Sequence, residues 1–125
     1  MNIGPLDWGT LSAYLSIQKT GDLWAGDVGS TKWEEVNLIR KGHDYQFPYI
    51  EGYEVFRKPQ KRIPDIPQQP PVYTYLHTAY DRAVLGGAVY RGELFPELHG
   101  QYIFADNYSS KVLSMDSNKT HINAD

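Results

Sequence analysis

The sequence predicts an all-β fold of two antiparallel, blade-like sheets. Three observations carry that expectation. Apolar and polar residues alternate with period two along successive short runs, and only residues 93–98 offer even a turn of helix. The run LWAGDVGSTKWEEVNLI at 23–39 places two apolar strands across a Gly-Ser-Thr turn. So tight a return is antiparallel, because a parallel one needs about a dozen residues or more. A second copy then follows. GDLWAGDVGSTKW and GQYIFADNYSSKV align at a constant offset of 79 residues, matching Gly21 to Gly100, Asp27 to Asp106, Ser30 to Ser109 and Lys32 to Lys111. A repeated antiparallel unit of this kind marks propeller blades.

Residues 1–9 contain Gly and Pro without a period and read as an irregular lead-in. From 11 to 18, Leu11, Ala13, Leu15 and Ile17 alternate with Ser12, Tyr14 and Ser16, which predicts a strand. Lys19-Thr20-Gly21-Asp22 turns it into a second strand at 22–28. Strand 33–39 follows, with Val36 and Leu38 on one face and Glu35, Asn37 and Ile39 on the other. Regularity then fails over 45–71. Tyr45, Phe47, Tyr49, Tyr53 and Phe56 imply a packed loop, and RKPQKRIPDIPQQPP, with five of the eight prolines, is expected to be extended and polyproline-like. Loops of such length are usually functional or mobile. Strand 72–77 closes the first blade from the outside, and strand 83–90 opens the second, with Gly86-Gly87 marking a bulge or a close backbone approach. Strands 101–105 and 111–115 complete it, and the polar last ten residues are expected to fray. Blade one thus covers about 11–78 and blade two about 83–123 of a single domain.

At 125 residues the chain buries roughly two-thirds of its unfolded surface. Its 14% aromatic content, with ten Tyr, favours strands. A net charge of −3 gives no general attraction for nucleic acid or membrane, so neither is an expected partner. With no Cys, disulfides, thiolate metal sites and Cys nucleophiles are excluded. The opening MNIGPLDWGT has no basic segment leading into an apolar one, so the expectation is a chain that is not exported and is cytoplasmic by default.

Asp27 and Asp106 occupy equivalent strand ends, where a carboxylate either binds metal or substrate at a channel mouth or, as preferred, accepts the following turn's amides. His77 is the single weak candidate for a catalytic base; lacking an evident carboxylate partner, it is expected to be structural. Glu34 and Glu35 are adjacent in a strand and face opposite sides, so they cannot act on one substrate. Arg57, Lys58, Lys61 and Arg62 form a basic cluster among prolines, expected to be a solvated loop.

The strings GDLWAGDVG, WEEVNLI and EGY and, downstream, LGGAVYRG and YIFAD resemble the glucose/sorbosone dehydrogenase family, over about residues 20–116. The resemblance implies a six-bladed propeller whose active members oxidise sugars with pyrroloquinoline quinone and Ca²⁺, and whose members are often periplasmic or secreted. It also implies a Ca²⁺ and cofactor position at Gly29 and Ser30 with Asp27 beside them, and a second Ca²⁺ at Glu51 and Tyr53, mainly through backbone carbonyls. Other matching positions depart from the family. The Arg-Asn pair that grips the quinone falls near Gly9-Thr10, a cofactor Lys falls near Tyr108, and the catalytic His belongs to a blade outside this chain.

The resulting expectation is a two-blade fragment of the family acting as a non-catalytic binding or assembly module, with Ca²⁺ at most and no quinone. The alternative is a quinone- and Ca²⁺-dependent sugar dehydrogenase, active as an assembled oligomer or with the missing blades. Two blades alone leave apolar flanks uncovered, so a homo-oligomer is expected, either a C3 trimer that rebuilds six blades or a C2 dimer. Carbohydrate is the other expected partner.

Overall fold

A computed structural model describes residues 16–17, 20–58 and 66–118. It forms two antiparallel sheets packed face to face, all-β except for a short 3₁₀ turn at Pro96–Leu98. The first sheet has the order β1 (Ser16–Ile17), β2 (Leu23–Asp27), β3 (Trp33–Ile39) and β6 (Tyr73–Leu76). The second runs β7 (Val84–Val89), β8 (Gln101–Asp106) and β9 (Lys111–Asp116). Between β3 and β6 the loop carries a small hairpin, β4 (Ile50–Glu51) and β5 (Glu54–Val55), which period-two reading missed because each arm is two residues long. Only Ser16 and Ile17 of the strand expected over 11–18 fall among the described residues.

The repeat is real in the backbone. Gly21 and Gly100, the matched residues at the offset of 79, have φ of 81° and 83°, a left-handed turn that glycine adopts without penalty. Each is followed by an apolar strand ending on its Asp. The turns then diverge. Asp106 pairs directly with Lys111, whereas Asp27 pairs with Glu35, so seven residues separate the last paired positions in blade one against four in blade two, although the strands themselves are only one residue further apart.

The core lies between the sheets. Trp24, Val36 and Leu38 of blade one meet Val84, Val89, Tyr102, Phe104 and Met115 of blade two. Trp24 stacks on Tyr102 with centroids 4.6 Å apart, and Tyr73 meets the Phe104 ring edge-on at 5.7 Å. The sheets approach closely at Gly26, where a Cβ would lie 3.0 Å from the Gly86 nitrogen. The Gly86-Gly87 pair also interrupts the ladder, with a bulge between Leu85 and Ala88, so both readings of that pair hold.

Two buried carboxylates cross the junction in opposite directions. Glu34, fully buried on β3, accepts the Val84 amide of blade two at 2.8 Å with one oxygen and bonds His77 Nε2 with the other. Asp106 of blade two accepts the Tyr75 hydroxyl of blade one at 2.7 Å and the Ala83 amide at 2.9 Å. His77 therefore does have a carboxylate partner, contrary to the expectation from sequence. It comes from the neighbouring strand, 43 residues away, where no local motif could reveal it.

The flanks differ. The far face of blade one, expected to be bare, is covered by its own loop, and Tyr45 buries against Ala25 and Ile39 with its hydroxyl on the backbone of Leu38 and Arg40. The far face of blade two presents Leu85, Ile103 and Ala105, with Val112 73% exposed beside them. The proline-rich end of the loop is tied down at Asp44, which exchanges backbone bonds with Pro67 and Gln69. Lys61 and Arg62 of the basic cluster lie outside the described residues, and Arg57 rests over the Phe56 ring at 5.3 Å.

Glu34→Ala would leave the Val84 amide and His77 without their shared acceptor. The expected loss is about 3 kcal/mol of unfolding free energy, read by urea denaturation, with His77→Ala costing less because Val84 stays satisfied.

Candidate functional site

At the end of the β2–β3 pair, the longer turn of blade one and the covering loop enclose a small pocket. Asp27, Val28, Gly29, Ser30, Glu35, Tyr45, Phe47, Ile50 and Glu51 line it, and it has room for about one water-sized group. Asp27 and Glu35 arrive together because they are directly opposed across β2 and β3, on the face away from blade two. Gly29 is demanded by geometry, since a Cβ there would sit 1.6 Å from the Trp33 carbonyl oxygen.

The three carboxylates have different partners. Glu51 Oε1 accepts the amides of Thr31, Lys32 and Trp33 at 3.0, 2.7 and 2.9 Å, and its Oε2 accepts the Thr31 hydroxyl at 3.2 Å. Burial pushes the Glu51 carboxyl up, but those donors outweigh it and hold it below the usual range. Glu35 accepts the Gly52 amide at 2.6 Å and the Asn37 side-chain amide at 3.2 Å. Burial is the larger influence there and raises Glu35. Asp27 is 8% exposed, and its Oδ1 finds no donor among the described residues. Burial first, then the negative charge of Glu35, Glu34 and Glu51, pushes it up to about 7.

The equivalent residue in the second repeat behaves oppositely. Asp106 Oδ1 accepts the amides of Tyr108 and Ser109, both at 2.9 Å, and the Ser109 hydroxyl at 3.1 Å. Burial raises it, but Tyr75, Ser109 and Ala83 outweigh burial and hold it at about 2. The preferred turn-binding role is thus true of Asp106 and false of Asp27. One alignment position carries a saturated structural carboxylate in blade two and an unsatisfied one in blade one.

Of the residues singled out from sequence, Asp27, Gly29, Ser30 and Glu51 come together in the pocket. Tyr53 does not line it; the ring is 53% exposed and its hydroxyl bonds the Pro71 carbonyl at 3.1 Å. His77 lies on the inter-blade side of the sheet with Glu34, apart from the pocket lining. Glu34 and Glu35 do point to opposite faces, one to blade two and one to the loop. Glu35 was missed as a site residue, although the hairpin register that faces it with Asp27 is the signal that finds it. Among the described residues, no group of three or more His, Asp or Glu side chains is arranged to hold a metal ion. An ion in this pocket would therefore need backbone carbonyls as well as carboxylates. Tyr108 is 63% exposed in the β8–β9 turn, with the Arg82 guanidinium 5.1 Å from its ring centre, while Gly9 and Thr10 lie outside the described residues.

Comparison with known proteins gives a consistent picture. The family model for glucose / sorbosone dehydrogenase matches residues 12–124. The HIPL1 protein of Arabidopsis thaliana is 32% identical over 96 residues, and HIPL2 of the same plant 28% over 95. Each of those matches takes in 69% of this chain but only 14% of the relative. The fold is similar to that of the PQQ-bound aldose sugar dehydrogenase (Adh) from Streptomyces coelicolor, with a TM-score of 0.57 at 18% identity, over 89% of this chain and 28% of that one.

The buried Asp27 makes stability depend on pH. Its ordinary value is 3.8 and its folded value about 7, so folding favours the protonated form. The stability it contributes is complete below pH 3.8 and is lost as pH rises through 7, by up to about 4 kcal/mol. Glu35 and Glu34, also raised, act in the same direction. Asp27→Asn is expected to flatten the urea-denaturation profile between pH 4 and 8 and to exceed the parent protein in stability at pH 8. An unchanged slope would place the titrating group elsewhere.

Proposed function

Because the chain belongs to the glucose/sorbosone dehydrogenase family, we propose that it serves as a non-catalytic binding module of that family, organised around a cation pocket. The observation that carries this reading is the unsatisfied Oδ1 of Asp27 in a pocket sized for a single water or ion. Room for about one water-sized group, together with its oxygen donors, favours a small hard cation in this pocket. Asp27 and Glu35 would supply charge, and carbonyls of the Gly29-Ser30 turn the remaining ligands. Bound Ca²⁺ would supply positive charge there, offsetting the burial and the neighbouring negative charge that raise Asp27.

A quinone-dependent sugar dehydrogenase is the competing reading, and it draws on likeness to an enzyme of which this chain spans 28%. Against it, Tyr108 stands where the family resemblance places a cofactor Lys, and a phenol cannot replace an ammonium beside a carboxylate. The whole family members' activity on sugars would then require blades beyond these two. Carbohydrate recognition remains the proposed use of the module in a larger assembly. The uncovered face of Leu85, Ile103, Ala105 and Val112 is where a further blade or a second copy would pack.

Two experiments test these statements. Ca²⁺ at about one hundred times its dissociation constant should stabilise the protein by about 2.7 kcal/mol, and Asp27→Asn should abolish that gain. Under the same conditions, added quinone and a panel of sugars should give no dye reduction, and measurable turnover would overturn the non-catalytic reading. Separately, light scattering at micromolar concentration is expected to report a dimer or trimer, and a monomer would remove self-assembly from the proposal.

A further inference from the structure

A turn that leaves several amides pointing inward needs an acceptor, because a buried unpaired N–H costs about as much as a lost hydrogen bond. In blade two the turn is short, and Asp106 reaches its amides from the strand end. In blade one the strand pairing closes later, at Glu35, and the inward amides of the turn are those of Thr31, Lys32 and Trp33, which bond no oxygen of Asp27. The acceptor has to come from elsewhere in the chain. It comes from the β4–β5 hairpin, whose Glu51 places one carboxylate oxygen on all three amides and the other on the Thr31 hydroxyl.

The hairpin is keyed to that turn at further points. The Gly52 amide donates to Glu35 at 2.6 Å, and Gly52 lies so close under Trp33 that a Cβ would fall 2.7 Å from the indole Cγ. Its φ of 61° adds a second requirement for glycine. At the rim, Lys32 pairs with Glu54 at 2.5 Å. Oε1 of Glu51 is saturated by three amide donors, so its main engagement is with the turn, while Oε2 takes the Thr31 hydroxyl alone.

We infer that Glu51 is a positioning residue: through its hold on the Thr31–Trp33 amides it shapes the turn that lines the pocket and leaves Asp27 free to face the pocket's occupant. The hairpin inserted between β3 and β6 thereby does for blade one what the strand-end Asp does for blade two. This inference rests on the cation reading for its consequence, but its structural half stands without any ion.

The test separates a hydrogen-bond acceptor from a charge. Gln keeps an acceptor oxygen at the same reach and loses the charge, whereas Ala loses both. Amide hydrogen exchange without added cation should show Thr31, Lys32 and Trp33 about one hundredfold faster in Glu51→Ala and within about tenfold of the parent in Glu51→Gln, with β8–β9 amides unchanged. Terbium luminescence with Ca²⁺ competition should show affinity about tenfold or more weaker in Glu51→Ala and near the parent value in Glu51→Gln. Amides still protected in Glu51→Ala, or Glu51→Gln losing as much affinity as Glu51→Ala, would overturn the inference. Should Glu51→Ala fail to fold, Glu51→Gln decides alone: retained protection supports positioning, and lost protection overturns it. If the parent protein binds no cation while the exchange pattern is as expected, the pocket's proposed occupant falls and the role of Glu51 in the turn stands.

Discussion

The junction between the two sheets depends on placing a carboxylate where no water can reach it. Glu34 is fully buried between the blades, and removing it from solvent costs several kcal/mol unless every lone pair finds a donor. Those donors are supplied from both sides, His77 from the strand-end of its own sheet and the Val84 amide from the first residue of the next. Asp106 answers in the opposite direction through Tyr75. Apolar contacts such as Trp24 on Tyr102 give the junction its area but would tolerate sliding. The reciprocal carboxylates admit one register, because a shift of one residue would strand a buried charge.

The same logic, a buried carboxylate seeking amides, explains why the two repeats differ at their strand-end aspartates. In blade two the demand is met within the turn, and Asp106 is saturated. In blade one a longer turn draws its acceptor from an inserted hairpin, and the local Asp27 is left with an open oxygen and a raised affinity for protons. A group held protonated by burial and by neighbouring negative charge is also one that a cation can ionise. Pocket and inserted hairpin thus meet at one turn, where Glu51 holds the amides and Asp27 lines the space beside it.

The inserted loop was the least legible part of the chain. Its aromatics pointed to packing, and Tyr45 does pack, on Ala25 and Ile39. Nothing local indicated that Glu51 would reach back to a turn about twenty residues earlier, since hydrogen bonds to backbone amides leave no pattern in the acceptor's own neighbourhood. The partnership of Glu34 with His77 was hidden for the same reason: His77 reaches it by strand pairing, over a loop whose length carries no information about where it returns.

What the sequence determined by itself was the class of fold, the strands and the repeat. Period-two alternation, the paired glycines at Gly21 and Gly100 and the tight Gly29-Ser30 turn are local consequences of side-chain placement and backbone sterics. Alternation also settled that Glu34 and Glu35 face apart. Which of two equivalent aspartates would be satisfied, and which histidine would find a carboxylate, only the tertiary structure decided. Those outcomes depend on which donors arrive from distant segments in three dimensions, and the desolvation they must offset exists only once the sheets have closed on one another.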